Sequence, residues 1–567
     1  MLAGCCCVRP TGLLRQSLFF NSVDLAIFSA GENVILFRAL EGTQMTRWRR
    51  SLAGLVVACS TLLVVSACAS SANSDPGSGG PVGDPVSGGI ARAIQVREPV
   101  GLDPAQLANN WVGQGLLGNA LYGTLMIDNP DTFEIDYALA TDFTTPDGGS
   151  TFVLTLRPEL TFTDGTPLNA EAVKFNWDRL RDTATASSSL PQASQIAATE
   201  VVDETTLKAT MAVPNPMFPF SVTSSALNWI ASPTALQKGR DAFNSEPVGA
   251  GPFVLTQWAR QDTIELERNP GYWDAPRPYL DGITLRTVSD AQQRINLLTT
   301  GGADLGSESS WSALSRAEQA GLVADVVRIG GGQYLAMNHR TAPFDDPRAR
   351  KAVASALQLD GINTAVFEGQ GEVPETLFPE SSPFYADIPL TQHDPAEAQR
   401  LFDELADEGK PVEFTFTATS LVEIKSVAET VQAQLSSFDN VDVKVEILDF
   451  AAYMPRIAAR DFGMTVWAAD SQEPDSALWN AFHSRSSGNV TGVADPELDR
   501  ALDEGRAGGT TQERSTSYTV VQERLAELNP GVWYIRAAPS VVRNSDIHGI
   551  RMYALGSLIP DQIWLTR

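Results

Sequence analysis

All five cysteines of this 567-residue chain, Cys5, Cys6, Cys7, Cys59 and Cys68, lie in the first 68 residues. Nothing after Cys68 can form a disulfide, so the rest of the chain must be held by burial of apolar side chains. Hydrophobic residues at 43% against charged residues at 19% suffice for that. The length exceeds what one core usually absorbs and predicts two to four domains. With 41 Lys and Arg against 68 Asp and Glu, the formal charge is -27. Such a chain repels phosphate backbones and anionic headgroups, which argues against nucleic acid as a partner.

The early cysteines sit in a segment of a different kind. From Met45 the chain carries Arg47, Arg49 and Arg50, a weakly polar run from Leu52 to Val65, and then Ser66-Ala67-Cys68. This is the layout of a signal peptide, and its apolar run is short for a bilayer span. Val65-Ser66-Ala67-Cys68 resembles the bacterial lipobox, which makes Cys68 the expected lipidated N-terminus of the mature chain; the bland reading is ordinary secretory cleavage at the same small residues. Acylation on that one residue would anchor the protein stably to the outer face of the cytoplasmic membrane. Residues 1–44 precede this complete signal, and the expectation is that translation starts later than Met1. A metal or palmitoylation site at Cys5-Cys6-Cys7 is the competing idea, but no His or further Cys lies nearby to complete a ligand set. Residues 69–89 are almost wholly Ser, Gly, Pro, Ala and Asp, a flexible tether reaching roughly 25 Å.

From about Ile90 the periodicity alternates between strand-like and helix-like, which predicts a mixed α/β fold. Asp346-Pro347, Asp394-Pro395 and Asp495-Pro496 each read as a capping Asp followed by Pro at the first helical position. Behind them Val353 with Leu357, Leu401 with Leu405, and Leu498 with Leu502 mark buried faces, as Tyr518, Val521, Leu525 and Leu528 do for a longer helix. In residues 151–180, Thr151 to Leu156 alternate as a strand and Asp164-Gly165 supplies a turn. Asn169 then caps a helix burying Val173, Trp177 and Leu180.

The chemistry of catalysis is sparse. The four His, at 339, 393, 483 and 548, make no local metal pair, and there is no nucleophile elbow or phosphate loop. A dispersed Ser-His-Asp triad or carboxylate pair leaves no local trace, and a secreted hydrolase stays open as the competing class. No metal or cofactor is expected.

The segment LRPELTFTDGTPLNAEAVKFNWDRL (156–180) resembles the signature of the family 5 bacterial extracellular solute-binding proteins, the oligopeptide- and dipeptide-binding subunits of ABC importers. The likeness continues through VGAGPFVL (248–255), RNPGYWDAPRPYLDGITLRTV (268–288), Leu297 to Leu305, YLAMNHRTAPFDDPRARKAVASAL (334–357) and TGVADPELDRALDEG (491–505). In the second of these Ala250 replaces the family's usual Thr. What the resemblance implies is an α/β, two-lobed periplasmic-binding-protein type II fold with three sub-domains and a hinge. Expected boundaries are a signal peptide at 45–67, lipidated Cys and tether at 68–89, and the binding domain at 90–567. Lobe one would span about 90–335 and 536–567, with an inserted sub-domain at about 126–245, and lobe two about 336–535.

The resemblance also implies a function without a reaction: capture of di- or oligopeptides between the lobes for delivery to a permease and its ATPases, by a monomer. The alternatives within the family are an opine, a sugar or a metal complex. MTVWAADSQEPDSALWN (464–480) resembles the peptide-binding branch, in which the Asp three residues after the Trp holds the ligand's α-ammonium; here that is Asp470. An ammonium leaving water needs such an opposite charge. Backbone from Val466 to Ala469, Ala468 included, would pair with an extended peptide as an added strand. Trp467 and Trp479 are candidates for side-chain pockets, or for core packing. Tyr122, Ser309, Trp311 and Asn338 are placed near the cleft by the family fold. Arg340 is a candidate for a peptide carboxylate, its planar fork suiting that group, or a surface Arg.

Overall fold

The computed structural model describes residues 83–130 and 132–566; the expected signal peptide, the lipidation at Cys68 and most of the tether lie outside the described residues. The dense segment at 151–180 folds as its pattern dictates. Thr151–Leu156 is a strand that buries alternate residues, and Gly165 takes a positive φ at the turn. The Asn169 side chain accepts from the Ala172 amide to open the helix Ala170–Arg181. Val173, Trp177 and Leu180 of that helix are buried. They pack over a four-stranded antiparallel sheet ordered Ala140–Thr144, Thr151–Leu156, Thr206–Met211 and Ile196–Val201. Phe143, Phe152, Trp177 and Phe218 meet there ring to ring.

Two further sheets build the rest. The larger is a mixed seven-stranded sheet in the order Val323–Val326, Ser540–Arg543, Leu305–Glu308, Ile90–Gln95, Gly282–Thr287, Thr263–Arg268 and Phe253–Trp258. Ile90–Gln95 runs parallel to both of its neighbours, and the other pairings are antiparallel. The second, five-stranded sheet has the order Val441–Leu448, Val412–Thr419, Met464–Ala468, Gln333–Met337 and Gly531–Ile535. Its first three strands are mutually parallel, so their C-terminal ends lie on one side. Each Asp-Pro pair opens a helix as expected: Pro347–Ala356, Pro395–Asp407 and Pro496–Ala507, with each Asp carboxylate accepting from an amide of the first turn. Tyr518, Val521 and Leu525 of the helix Thr511–Leu528 are buried, and Leu528 is only half-buried at its end. Among the described residues no helix is long and apolar enough to cross a membrane.

The chain passes from the larger sheet to the five-stranded one between Val326 and Gln333, and returns between Ile535 and Ser540. These two crossings are tied together. The Val327 amide donates to the Pro539 carbonyl at 2.8 Å. Arg536, 4% exposed, donates to the carbonyls of Ile329, Gly331, Thr376 and Leu377 and pairs with Glu372 at 2.7 Å. Gly331 takes φ +73°, and a Cβ there would stand 1.8 Å from the Ala469 carbonyl oxygen, so the crossing needs a glycine at this point.

Candidate functional site

Asp470 follows the C-terminal end of Met464–Ala468, one of the three parallel strands. That strand pairs with Gln333–Met337 along its length, Trp467 opposite Tyr334 and Ala468 opposite Gln333. On its other side the ladder to Val412–Thr419 ends with Thr465 opposite Thr417. Val466 to Ala468 are therefore strand-paired on one side only. The Ala469 amide donates to the Gly332 carbonyl at 3.0 Å, and Ser471 exchanges two backbone hydrogen bonds with Gly330. The crossing thus holds the turn carrying Asp470, so carboxylate and hinge are one construction.

The loop after Asp470 is held from below by charge. Glu473 caps the helix Pro474–Phe482 and pairs with buried Arg514, and Asp475 pairs with Arg506 at 2.7 Å. From the opposite side the four-stranded sub-domain reaches this loop: Asn215 Nδ2 lies 3.3 Å from Asp475 Oδ2, and the hydroxyls of Ser221 and Ser476 are 3.1 Å apart. Phe133 meets Phe384 edge to face in the same closure.

Between these two sides lies a cavity of about 210 Å³, lined by Asp470, Ser471 and Gln472 from one side and by Asp128, Gln192 and Phe220 from the other. Its polar groups are unusual. Oδ1 of Asp470, Oδ1 of Asp128, Oε1 of Gln192, Oγ of Ser471 and both amide atoms of Gln472 are buried without a hydrogen-bond partner. Buried polar groups are ordinarily satisfied, and an unsatisfied one costs about 1–3 kcal/mol. Among the described residues that line this cavity there is no Lys or Arg. Burial pushes the Asp470 carboxyl up to about 6, against the pull of the Arg536 charge. Asp128 is likewise raised by burial. The site is an acceptor-rich pocket suited to a cationic donor.

A second cavity of about 370 Å³ adjoins it, sharing Gln192, Ser476 and Asn480 and adding Trp479, Arg506 and Val213. Together the two compartments fall within the roughly 300–1,000 Å³ usual for small-ligand sites. Trp479 is fixed by its indole N–H on Asp503 at 3.0 Å, by His483 stacked at 4.5 Å and by the Arg506 guanidinium 4.4 Å from its ring centre.

The other sequence-based candidates disperse. Trp467 is half-buried and packs on the core of the five-stranded sheet's lobe, lining neither cavity; Ala468 is exposed and Ala469 buried. Tyr122 is a correction: it is 0% exposed, stacked on Phe243, with its hydroxyl donating to the Leu102 carbonyl, a core residue of the larger lobe. Arg340 is a second. Its guanidinium donates to the carbonyls of Asn489 and Val490 at 3.1 and 2.9 Å and so fastens a loop. Asn338 is fully buried, its amide bonded to the carbonyls of Arg460 and Phe462. Trp311 donates to the Arg536 carbonyl at 2.7 Å and touches the cores of both lobes, which places it at the hinge; Ser309 is bonded to Glu308. Reading the sequence missed Asp128, Gln192, Ser471, Gln472 and Arg536. Ser471 and Gln472 follow Asp470 directly and were within reach, whereas Asp128 meets Asp470 only through the fold.

Comparison with known proteins agrees with this architecture. The family model described as bacterial extracellular solute-binding proteins, family 5 middle, matches residues 134–489. The glutathione-binding protein GsiB of Shigella flexneri is 27% identical over 447 residues, covering 76% of this chain and 86% of that protein. Among solved structures, the periplasmic binding protein DppA of Helicobacter pylori in complex with the peptide STSA superposes with a TM-score of 0.71 at 24% identity, over 85% of this chain and 99% of that one. The binding protein AgaA from A. tumefaciens R10 in complex with agropinic acid gives 0.70 at 24% identity, over 84% and 99%. Match and motifs cover more than half of the sequence, and the chain belongs to the family 5 bacterial extracellular solute-binding proteins.

Proposed function

We propose that this protein is the extracytoplasmic solute-binding subunit of an ABC importer and captures a peptide-like ligand by its amino end between two lobes. The observation that carries the reading is the buried, unpartnered Oδ1 of Asp470 in a cavity lined from both lobes without a Lys or Arg. An α-ammonium supplies the charge and the donors this oxygen lacks. Past Val466, whose carbonyl accepts from the Tyr453 hydroxyl at 3.2 Å, the edge at Trp467 and Ala468 has no strand partner and is available to a peptide backbone. Lobe one is the larger sheet with its inserted sub-domain, lobe two is the five-stranded sheet with its helices, and the Arg536 crossing is the hinge on which ligand selects the closed population. Cys68 serves as the lipid anchor, on the strength of its lipobox; Cys68→Ala is expected to release the protein or leave it unprocessed, and unchanged processing and membrane retention would refute anchoring.

A thermal-shift screen of the purified protein over peptide pools, free amino acids, opines, sugars and metal chelates tests the ligand class, since a ligand that binds only the folded state raises the melting point by mass action. Stabilisation by peptides that is lost on N-acetylation is the expected result. Stabilisation by sugars or chelates alone overturns the peptide assignment.

A further inference from the structure

The cavity at Asp470 holds a second carboxylate that amine recognition alone does not require. Asp128 ends the short strand Met126–Asp128 of the larger lobe and is 3% exposed. Its carboxylate is answered in part, by the Ala554 amide at 3.1 Å on Oδ2 and by the nearby Thr223 side chain, which both pull against its burial; its Oδ1 lies buried without a well-formed hydrogen bond in the cavity that Asp470 enters from the other lobe. The remaining unpartnered atoms at this cavity are mostly acceptors: Oε1 of Gln192 and of Gln472, with the Ser471 hydroxyl and the Gln472 amide nitrogen able to donate. Gln472 and Ser471 are 7% and 2% exposed, so neither relies on bulk water. Two carboxylates face a space of about 210 Å³ without a Lys or Arg in its lining, and burial there raises the cost of ionising each. One ammonium answers one of them.

We infer that Asp128 is a specificity-determining residue that receives a second cationic group, so that the preferred ligand is a peptide whose first residue carries a basic side chain. Asp470 takes the α-ammonium and Asp128, with Gln192 beside it, takes the side-chain cation. Because the two carboxylates belong to different lobes, a ligand bearing both charges is held fully only when the lobes are together, which ties selectivity to closure. The inference rests on the peptide reading above, and the test separates the two.

The experiment is calorimetric titration of the purified full-length protein with Lys-Ala-Ala and norleucine-Ala-Ala, which share a linear side chain but differ in its charge. The same pair is titrated into Asp128→Asn. The wild type is expected to prefer Lys-Ala-Ala by at least about tenfold, a modest demand for a close buried charge pair. In Asp128→Asn that ratio falls to within about twofold, while the affinity for norleucine-Ala-Ala changes by less than about threefold. Equal affinities in the wild type, or equal weakening of both peptides in the variant, overturn the inference, the second outcome marking Asp128 as merely structural. If neither peptide binds, the peptide reading has failed, and 1,5-diaminopentane against 1-aminopentane decides the remaining question. A diamine preference that disappears in Asp128→Asn upholds the second cation site, and no preference overturns it.

Discussion

Two buried charges stand within reach of each other's fields and are treated in opposite ways. Arg536, at the crossing between the lobes, has its guanidinium surrounded by four backbone carbonyls and Glu372. Asp470, on the adjoining turn, keeps a buried oxygen with no partner. A buried charge whose hydrogen bonds are all made is a structural fastener, and one whose bonds are missing is waiting for something from outside. The same contrast separates Arg340, whose guanidinium is tied to two loop carbonyls, from the cavity-facing Asp128.

The comparison breaks most forcefully at the hinge. Arg536→Met strands four carbonyls and the Glu372 carboxylate, and a loss on the order of 3 kcal/mol in urea-unfolding stability is expected. Most of that loss comes from the carbonyls, since Glu372 is half exposed and its charge is resolvated; a change under about 1 kcal/mol would show that the hinge network is not a fastener.

Asp470→Asn takes the opposite course, removing binding while stabilising the empty protein. The folded-state value of Asp470, about 6, lies above that of an ordinary Asp, so between those two values the folded protein binds a proton that the unfolded chain has lost. Stability therefore falls as pH rises through that window, and the full penalty stands above it. The Asn variant is expected to be on the order of 2 kcal/mol more stable than wild type at pH 7, with the difference vanishing near pH 4, read from melting curves across pH. Peptide affinity is expected to drop by about a hundredfold or more in the same variant. A variant less stable than wild type at pH 7 would mean that Asp470 has a structural partner.

Arg340→Ala should cost about 1–2 kcal/mol of stability through the orphaned carbonyls of Asn489 and Val490 and leave ligand affinity within about twofold. A selective loss of affinity would return Arg340 to the binding site. The smallest effect expected is from pH on the wild type. Peptide affinity should rise several-fold between pH 5 and 7, with proton release on binding near pH 6 seen as a buffer-dependent enthalpy. A flat profile would show that Asp470 is already ionised before ligand arrives.

Much of the fold was legible because its signals are local. Asp-Pro caps, the alternation of Thr151 to Leu156 and the Asn169 cap each act within one turn or strand, and each formed as read. Asp470 was reachable only through the resemblance of its segment to the family's peptide-binding branch, the turn after the strand Met464–Ala468 carrying it. Tyr122 and Arg340 misled because an aromatic or a guanidinium suits a ligand and a core equally, and only the fold supplies the Leu102 carbonyl or the Asn489 loop that claims them. Asp128 was invisible for the converse reason. It is an ordinary acid at a strand end until a fold brings it to the cavity that holds Asp470, 342 positions away in sequence.

The most direct test of amine capture is calorimetric titration at pH 7 of wild type and Asp470→Asn with one stabilising peptide, free and N-acetylated. The account predicts tight binding for the free peptide on wild type and at least about hundredfold weaker binding in the other three combinations. Equal binding of the free and acetylated forms by the wild type would contradict it.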